Sequence, residues 1–277
     1  MDSIKHHFSE LLLRWSLDVY QSYEWALSFS DKRVAAWPLM QSPFPTVMLI
    51  VLYLCSVHYG PQLMRSRQPF EMRWILVFYN FAMTFLNLYI GLELLVCAWK
   101  QNYNWACQLV DFSSNPYEVR IAKALWWYYF SKLLEFCDTF FFILRKKNNQ
   151  LTFLHIYHHS TMFGLWWIGV KWVPGGSAVP GAMTNSFVHV LMYLYYGLAS
   201  IGPIMQPYLW WKKYLTMIQL IQFVSAVVMG VKAIIYNCPF TRWMQYALVA
   251  YSFSFIVLFG IFYLNSYSPK KPEKKEA

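Results

Sequence analysis

Apolar residues run along this chain in blocks long enough to cross a bilayer. Seven such blocks occupy 42–60, 74–98, 121–144, 151–170, 180–200, 209–236 and 242–265. A helix of roughly 20 apolar residues spans the hydrocarbon core of a membrane. None of the blocks alternates as a barrel strand does, and isolated strands leave backbone groups unsatisfied in lipid. The pattern therefore predicts an all-α polytopic membrane protein with seven transmembrane helices. Pro174-Gly175-Gly176 and Pro180 interrupt the fourth and fifth blocks. Residues 1–36 mix charges with aromatics and carry no apolar core segment, so no cleavable signal peptide is read there. The expected division is an N-terminal segment at 1–36, a seven-helix domain at 37–265 and a polar tail at 266–277.

The polar positions inside four of these blocks are not scattered. Lys132, Glu135, Asp138 and Thr139 are spaced i, i+3, i+6 and i+7, so a continuous third helix carries them on one stripe. His155, His158 and His159 open the fourth block at i, i+3 and i+4 and share a face. Asn185, His189, Tyr193 and Tyr196 line one face of the fifth block. Thr216, Gln219 and Gln222 recur every three residues in the sixth. Intramembrane ionisable groups are costly unless paired or functional. Four such faces on consecutive helices predict one interior chamber, enclosed by spans two to seven. Cys137 points roughly 150° from the middle of its stripe at about 100° per residue, which argues against a thiol nucleophile beside the acids.

Composition and charge set the orientation. Of all residues 58% are hydrophobic, 21% aromatic and only 13% charged. Arg65, Arg67, Arg73, Arg145, Lys146, Lys147, Lys212, Lys213, Lys270, Lys271, Lys274 and Lys275 follow odd-numbered blocks. The loops after even-numbered blocks hold Lys100, Arg120, Lys123, Lys171 and Arg242. The positive-inside rule places the N-terminus across the membrane and the C-terminus in the cytosol, with the histidine cluster near the cytosolic side. The net charge of +10 is read as orientation and headgroup contact, with no nucleic-acid partner. Cys107 and Cys238 fall in loops on the non-cytosolic side, which is oxidising in the endoplasmic reticulum, so a disulfide between them is expected. Lys274-Lys275-Glu276-Ala277 fits a dilysine retrieval signal, which requires a cytosolic C-terminus.

The histidines admit several chemistries. They can bind a metal, move protons, form a covalent bond or pair with neighbours. A di-iron centre of the desaturase type uses three histidine clusters and about eight imidazoles. This chain has seven histidines, and His6, His7 and His58 lie off the polar faces. A mononuclear ion held by His155 and His159 remains conceivable by spacing, but the expectation is no metal. A seven-span receptor would not need its intramembrane charges on spans three to six. A transporter would show repeat-related broken helices.

Four segments carry a resemblance: Lys132-Leu-Leu-Glu135-Phe-Cys-Asp138-Thr139, His155-Ile-Tyr-His158-His159, Asn185 with His189-Val-Leu-Met192-Tyr193-Leu-Tyr195-Tyr196, and Thr216-Met-Ile-Gln219-Leu-Ile-Gln222-Phe223. In this order and spacing they resemble the very-long-chain fatty acid elongase family, the membrane 3-ketoacyl-CoA synthases. Asp31-Lys-Arg-Val, Trp37-Pro-Leu-Met-Gln-Ser-Pro and Thr161-Met-Phe-Gly-Leu-Trp-Trp-Ile-Gly resemble its type 4 branch most. The chain departs from relatives in having no Asn-x-Ser/Thr acceptor, no histidine after Gln222-Phe223 and a short tail.

The resemblance implies an enzyme of the acyltransferase class in the endoplasmic reticulum membrane, with a lumenal N-terminus. It condenses a long-chain acyl-CoA, polyunsaturated ones included, with malonyl-CoA to give 3-oxoacyl-CoA, CO2 and CoA, without a cofactor. Expected partners are both substrates, membrane lipid, the reductase and dehydratase that follow in the cycle, and a homo- or hetero-oligomer. His158 is the implied nucleophile, forming an acyl-imidazole, with His155, His159 and His189 orienting it, moving protons or polarising the carbonyl. Glu135 and Asp138 would tune the histidines, and Lys132 would hold CoA phosphate or an enolate oxygen. Asn185, Tyr193, Tyr196, Gln219 and Gln222 complete the supporting set. Alternatively the histidines act only as general bases. The acyl chain would run along an apolar tunnel toward the non-cytosolic side.

Overall fold

The computed structural model describes residues 2–267, and every regular element among them is helical. The nine α-helices are α1 (Asp2–Ser28), α2 (Phe44–Leu63), α3 (Arg73–Lys100), α4 (Pro116–Leu134), α5 (Phe136–Leu144), α6 (Phe153–Trp172), α7 (Val179–Ile201), α8 (Lys212–Ile235) and α9 (Arg242–Tyr267). The last eight cover the seven apolar blocks. Lys274 and Lys275 lie outside the described residues.

α2, α3, α8 and α9 are long and apolar enough to cross a membrane. α4 to α7 carry three of the four polar faces, and the fourth, Thr216, Gln219 and Gln222, lies on α8. α3 packs chiefly against α7 and α4, α8 packs against α9, and α2 lies on α6 and α5. The buried core collects side chains of α3, α4, α6 and α7, with Tyr53 of α2 inserted among them.

Local chemistry explains the helix starts. Asn115 caps α4 by accepting the Tyr117 N–H at 2.9 Å, and Pro116 follows in the first turn. Thr152 caps α6 by accepting the His155 N–H, which fixes the phase of the histidine face. Pro180 does not interrupt the fifth block. It sits in the first turn of α7, where a missing N–H costs nothing. The turn before it needs Gly176: φ is +57°, and a Cβ would lie 2.7 Å from the Gln108 carbonyl oxygen. Ser177 completes this contact, its N–H donating to Gln108 O at 2.9 Å.

One expectation needs correction, and one segment gains a structure that its composition left open. The third block is not one helix. The ladder tightens after α4, and the Asp138 N–H bonds the Glu135 carbonyl three residues back at 3.2 Å. The Leu134 carbonyl, freed by that change, accepts the Tyr79 hydroxyl of α3 at 3.1 Å. The stripe is therefore bent at Glu135. Residues 1–36, read as a mixed segment, include the 27-residue helix α1. Its C-terminal end is held where Trp172 Nε1 donates to Ala26 O at 2.7 Å and Asp31 N–H donates to Lys171 O at 3.0 Å.

Candidate active site

α4, α5, α6 and α7 bring the predicted groups to one place. Lys132 and Glu135 are fully enclosed, with Nζ donating to Oε1 at 2.7 Å. Lys132 Nζ also lies 4.5 Å from the centre of the Tyr128 ring. Glu135 faces two imidazoles, His189 Nδ1 at 3.1 Å from Oε1 and His159 Nδ1 at 3.9 Å from Oε2. Lys132 compensates the buried carboxylate at Oε1, while Oε2 and the two imidazole Nδ1 atoms have no hydrogen-bond partner among the described residues. Glu135 is thus the charge on which Lys132, His159 and His189 converge.

His155 is held from elsewhere. Its Nε2 is 2.7 Å from the Thr139 hydroxyl, which in turn lies 3.1 Å from the Tyr53 hydroxyl of α2. The rings of His155 and His159 are 4.2 Å apart. His158 differs from all three. Only ring contacts are present around it, with His159 at 5.0 Å, Phe255 at 5.5 Å and His189 at 6.2 Å. Its nitrogens make no hydrogen bond to the described residues, which leaves a lone pair for a bound molecule.

Two cavities meet here. The first, about 460 Å³, sets His155, His158, His159, His189, Thr216, Gln219 and Gln222 among apolar walls such as Met192, Leu215 and Phe259. Asn149, Gln150 and Lys212, all exposed, line it at the end nearest the Arg145-Lys146-Lys147 loop. The second, about 310 Å³, runs between α6, α7, α8 and α9 and is lined mostly by apolar residues. From His158 to Val173 along α6 it extends about 22 Å at 1.5 Å per residue. Trp105, Phe240 and Trp243 stand at its far end, beside the bonded pair Cys107 and Cys238, whose Cα atoms are 5.8 Å apart. His158, Asn185, Gln222 and Phe223 border both cavities.

The placement revises three expected roles. Lys132 borders neither cavity and is committed to Glu135, so it has no contact that would hold a CoA phosphate. Asp138 touches no histidine; its Oδ2 accepts from the Tyr193 hydroxyl at 2.7 Å. Tyr193 is consequently turned into the protein, edge-on to Tyr79 at 6.0 Å, while Tyr196 faces the chamber. Gln219 reaches the chamber wall beside Met192. Tyr53, Tyr79 and Tyr128 were missed. In a chain with 21 tyrosines nothing in their spacing distinguishes them.

The metal question can be put to the geometry. Glu135, His158 and His159 each offer one ligand atom within a mutual 4.8 Å. Lys132 Nζ already occupies one Glu135 oxygen, which sets a positive charge beside any ion placed there.

The molecule so described is a multi-helix membrane protein with a buried histidine cluster beside two adjoining cavities, the second lined mostly by apolar residues. Residues 38–276 match the family model described as the GNS1/SUR4 (ELO) family, and the chain belongs to that family. It is 56% identical over 257 residues to human very long chain fatty acid elongase 4, covering 92% of this chain and 82% of that protein. The mouse elongase 4 is 54% identical over 257 residues, 93% of this chain and 82% of that protein. Human very long chain fatty acid elongase 5 is 47% identical over 246 residues, 89% of this chain and 82% of that protein. The chain is a multi-pass membrane protein.

Proposed function

We propose that this chain is the condensing enzyme of very-long-chain acyl-CoA elongation, joining an acyl-CoA to malonyl-CoA with loss of CO2. The observation that carries this reading is the position of His158. It stands where the histidine-lined cavity, with Lys212 on its wall, meets a second cavity lined mostly by apolar residues. That is the place a thioester occupies when its CoA lies in the chamber and its alkyl chain in the tunnel. Lys212, on the chamber wall, takes the phosphate-binding role in place of Lys132.

In the proposed route a His158 nitrogen adds to the thioester carbonyl carbon, and the carbonyl electron pair moves onto oxygen. The oxyanion collapses and expels the CoA thiolate, which takes the ring proton and leaves as the thiol. Malonyl-CoA then loses CO2, and the electron pair left on its carbon attacks the acyl-imidazole. The ring departs, regains a proton from solvent, and 3-oxoacyl-CoA is released. His189 and His159, which flank the Glu135 carboxylate, move protons within the chamber. No cofactor or resident metal enters the route. Saturated and polyunsaturated long chains are the proposed substrates.

The proposal includes seven spans over 37–265, with α4 and α5 together forming one, in the endoplasmic reticulum membrane. The N-terminus is lumenal and the C-terminus cytosolic, which puts the Cys107–Cys238 bond on the oxidising side. Radiolabelled malonyl-CoA supplied with a panel of acyl-CoAs to microsomes expressing the chain tests the reaction. Incorporation is expected with long chains, and none with any chain sinks the reading. Intact-protein mass spectrometry after acyl-CoA treatment tests the intermediate: the acyl adduct is expected to disappear in His158→Ala.

A further inference from the structure

Four residues border both cavities, and they are not equivalent. Phe223 has no polar side-chain atom. Gln222 Oε1 is buried without a partner. His158 carries the free lone pair. Asn185, on α7, is the one whose amide is oriented by its surroundings.

Its Oδ1 accepts the Tyr128 hydroxyl at 2.5 Å and lies 3.4 Å from Lys132 Nζ. An ammonium has donors only, so the atom facing it must be the oxygen of the amide. Lys132 is itself fixed by Glu135 and by the face of the Tyr128 ring. The amide nitrogen is therefore on the other side, and it donates to no side chain or backbone group among the described residues. Both N–H groups are available where the chamber and the tunnel meet, beside His158.

We propose that Asn185 Nδ2 is the hydrogen-bond donor to the thioester carbonyl oxygen, and that the buried Lys132–Tyr128 pair is the device that points it there. The inference rests on the acyl-CoA reading of the site. When a nucleophile adds to the carbonyl carbon, the C=O pair becomes an oxyanion. A donor already held in place stabilises that charge without reorganising. Lys132 thus acts on the developing oxygen through Asn185 rather than by touching it. The polar stripe of the third block is in this respect the support of the fifth.

The test compares acyl transfer with binding. The rate of adduct formation is read by intact mass after mixing with a long-chain acyl-CoA. Binding is read with an S-alkyl CoA thioether of the same length, which lacks the carbonyl. In Asn185→Ala the acylation rate is expected to fall about 10²- to 10³-fold, the cost of one oxyanion donor, with thioether affinity unchanged. Asn185→Asp, which keeps the shape but removes both N–H groups, serves where the alanine variant does not fold. Tyr128→Phe frees the amide to rotate and should lower the rate by about five- to tenfold. Wild-type acylation in the Asn185 variants overturns the proposal. So does a thioether affinity that falls by the same factor as the rate, since Asn185 would then act in ground-state binding alone. Should wild-type protein form no adduct, the acyl-imidazole reading falls separately. The donor is then read from kcat with malonyl-CoA, because direct carbanion attack develops charge on the same oxygen. An unchanged kcat in the Asn185 variants overturns it there.

Discussion

The wall of the chamber built by α4 and α7 and the wall built by α8 and α9 are made to different standards. α4 and α7 each bury nine residues, among them Lys132, Asn185 and His189. α8 and α9 bury three each, and their most apolar windows are only 11% enclosed against 44% for α3. The first wall holds its polar groups to one another: Lys132 to Glu135, Glu135 to His189, Asp138 to Tyr193. The second supplies Gln219, Gln222, Phe223 and Phe255 and is tied on by few bonds. Tyr157 meets Ser254 at 3.2 Å, Thr161 meets Tyr251 at 2.6 Å, and the Cys107–Cys238 bond closes the far end. Groups that must keep a fixed geometry sit on the densely bonded side. The side that shapes the tunnel is the one with more freedom to move.

The difference is broken most severely at Lys132. Lys132→Ala leaves the Glu135 carboxylate buried without its cation, a loss of about 3–5 kcal/mol. The denaturation midpoint in detergent is expected to drop sharply, and Lys132→Ala/Glu135→Gln together should recover part of it. A double variant no better than the single one would show that the pair is not the source of the loss. On the loose side, Cys107→Ser is expected to cost about 2–5 kcal/mol. The effect should be local: limited proteolysis should cut the α8–α9 hairpin first, while the acyl adduct on His158 still forms. Gly230 tests the hairpin itself. Its Cβ would lie 2.6 Å from Val249 Cγ2, so Gly230→Val forces α8 and α9 apart and should cost about 1–3 kcal/mol. A change in the product-length profile with the His158 adduct retained would sharpen the division of labour between the walls.

Much of this contrast could be read from residue spacing. Intramembrane charge is expensive, so Lys132, Glu135 and the histidines declared themselves by type and by three- and four-residue intervals. Cys107 and Cys238 were paired from loop position alone. What spacing cannot show is a hydrogen bond that changes ladder. At the break after Leu134 the freed carbonyl is taken up by a tertiary partner, the Tyr79 hydroxyl of α3, and nothing local marks it. Neither can it show which polar residues of a stripe face the cavity. Lys132 and Tyr196 follow the same rule of spacing and end on opposite sides of the chamber wall. In α1, Leu11, Trp15 and Val19 do recur every four residues. Leu13, Leu17 and Trp25 blur that stripe, which is why a 27-residue helix reads as a mixed segment.

The smallest expected effect is the most informative about α2. This helix stands outside the four polar faces, and its one contribution to the chamber is the Tyr53 hydroxyl, 3.1 Å from Thr139, which bonds His155 Nε2. A hydroxyl that receives one hydrogen bond is more firmly set to give another. Tyr53→Phe keeps the ring stacked on Phe136 at 4.2 Å and removes only that bond. Stability should fall by about 1 kcal/mol. The reaction should fall severalfold in kcat with KM for acyl-CoA unchanged, because His155 is positioned by Thr139 and not by the substrate. Thr139→Val, which cuts the same chain one link nearer the ring, should fall further. If Tyr53→Phe loses stability but not kcat, α2 is a packing element, and the densely bonded side ends at α4 and α5.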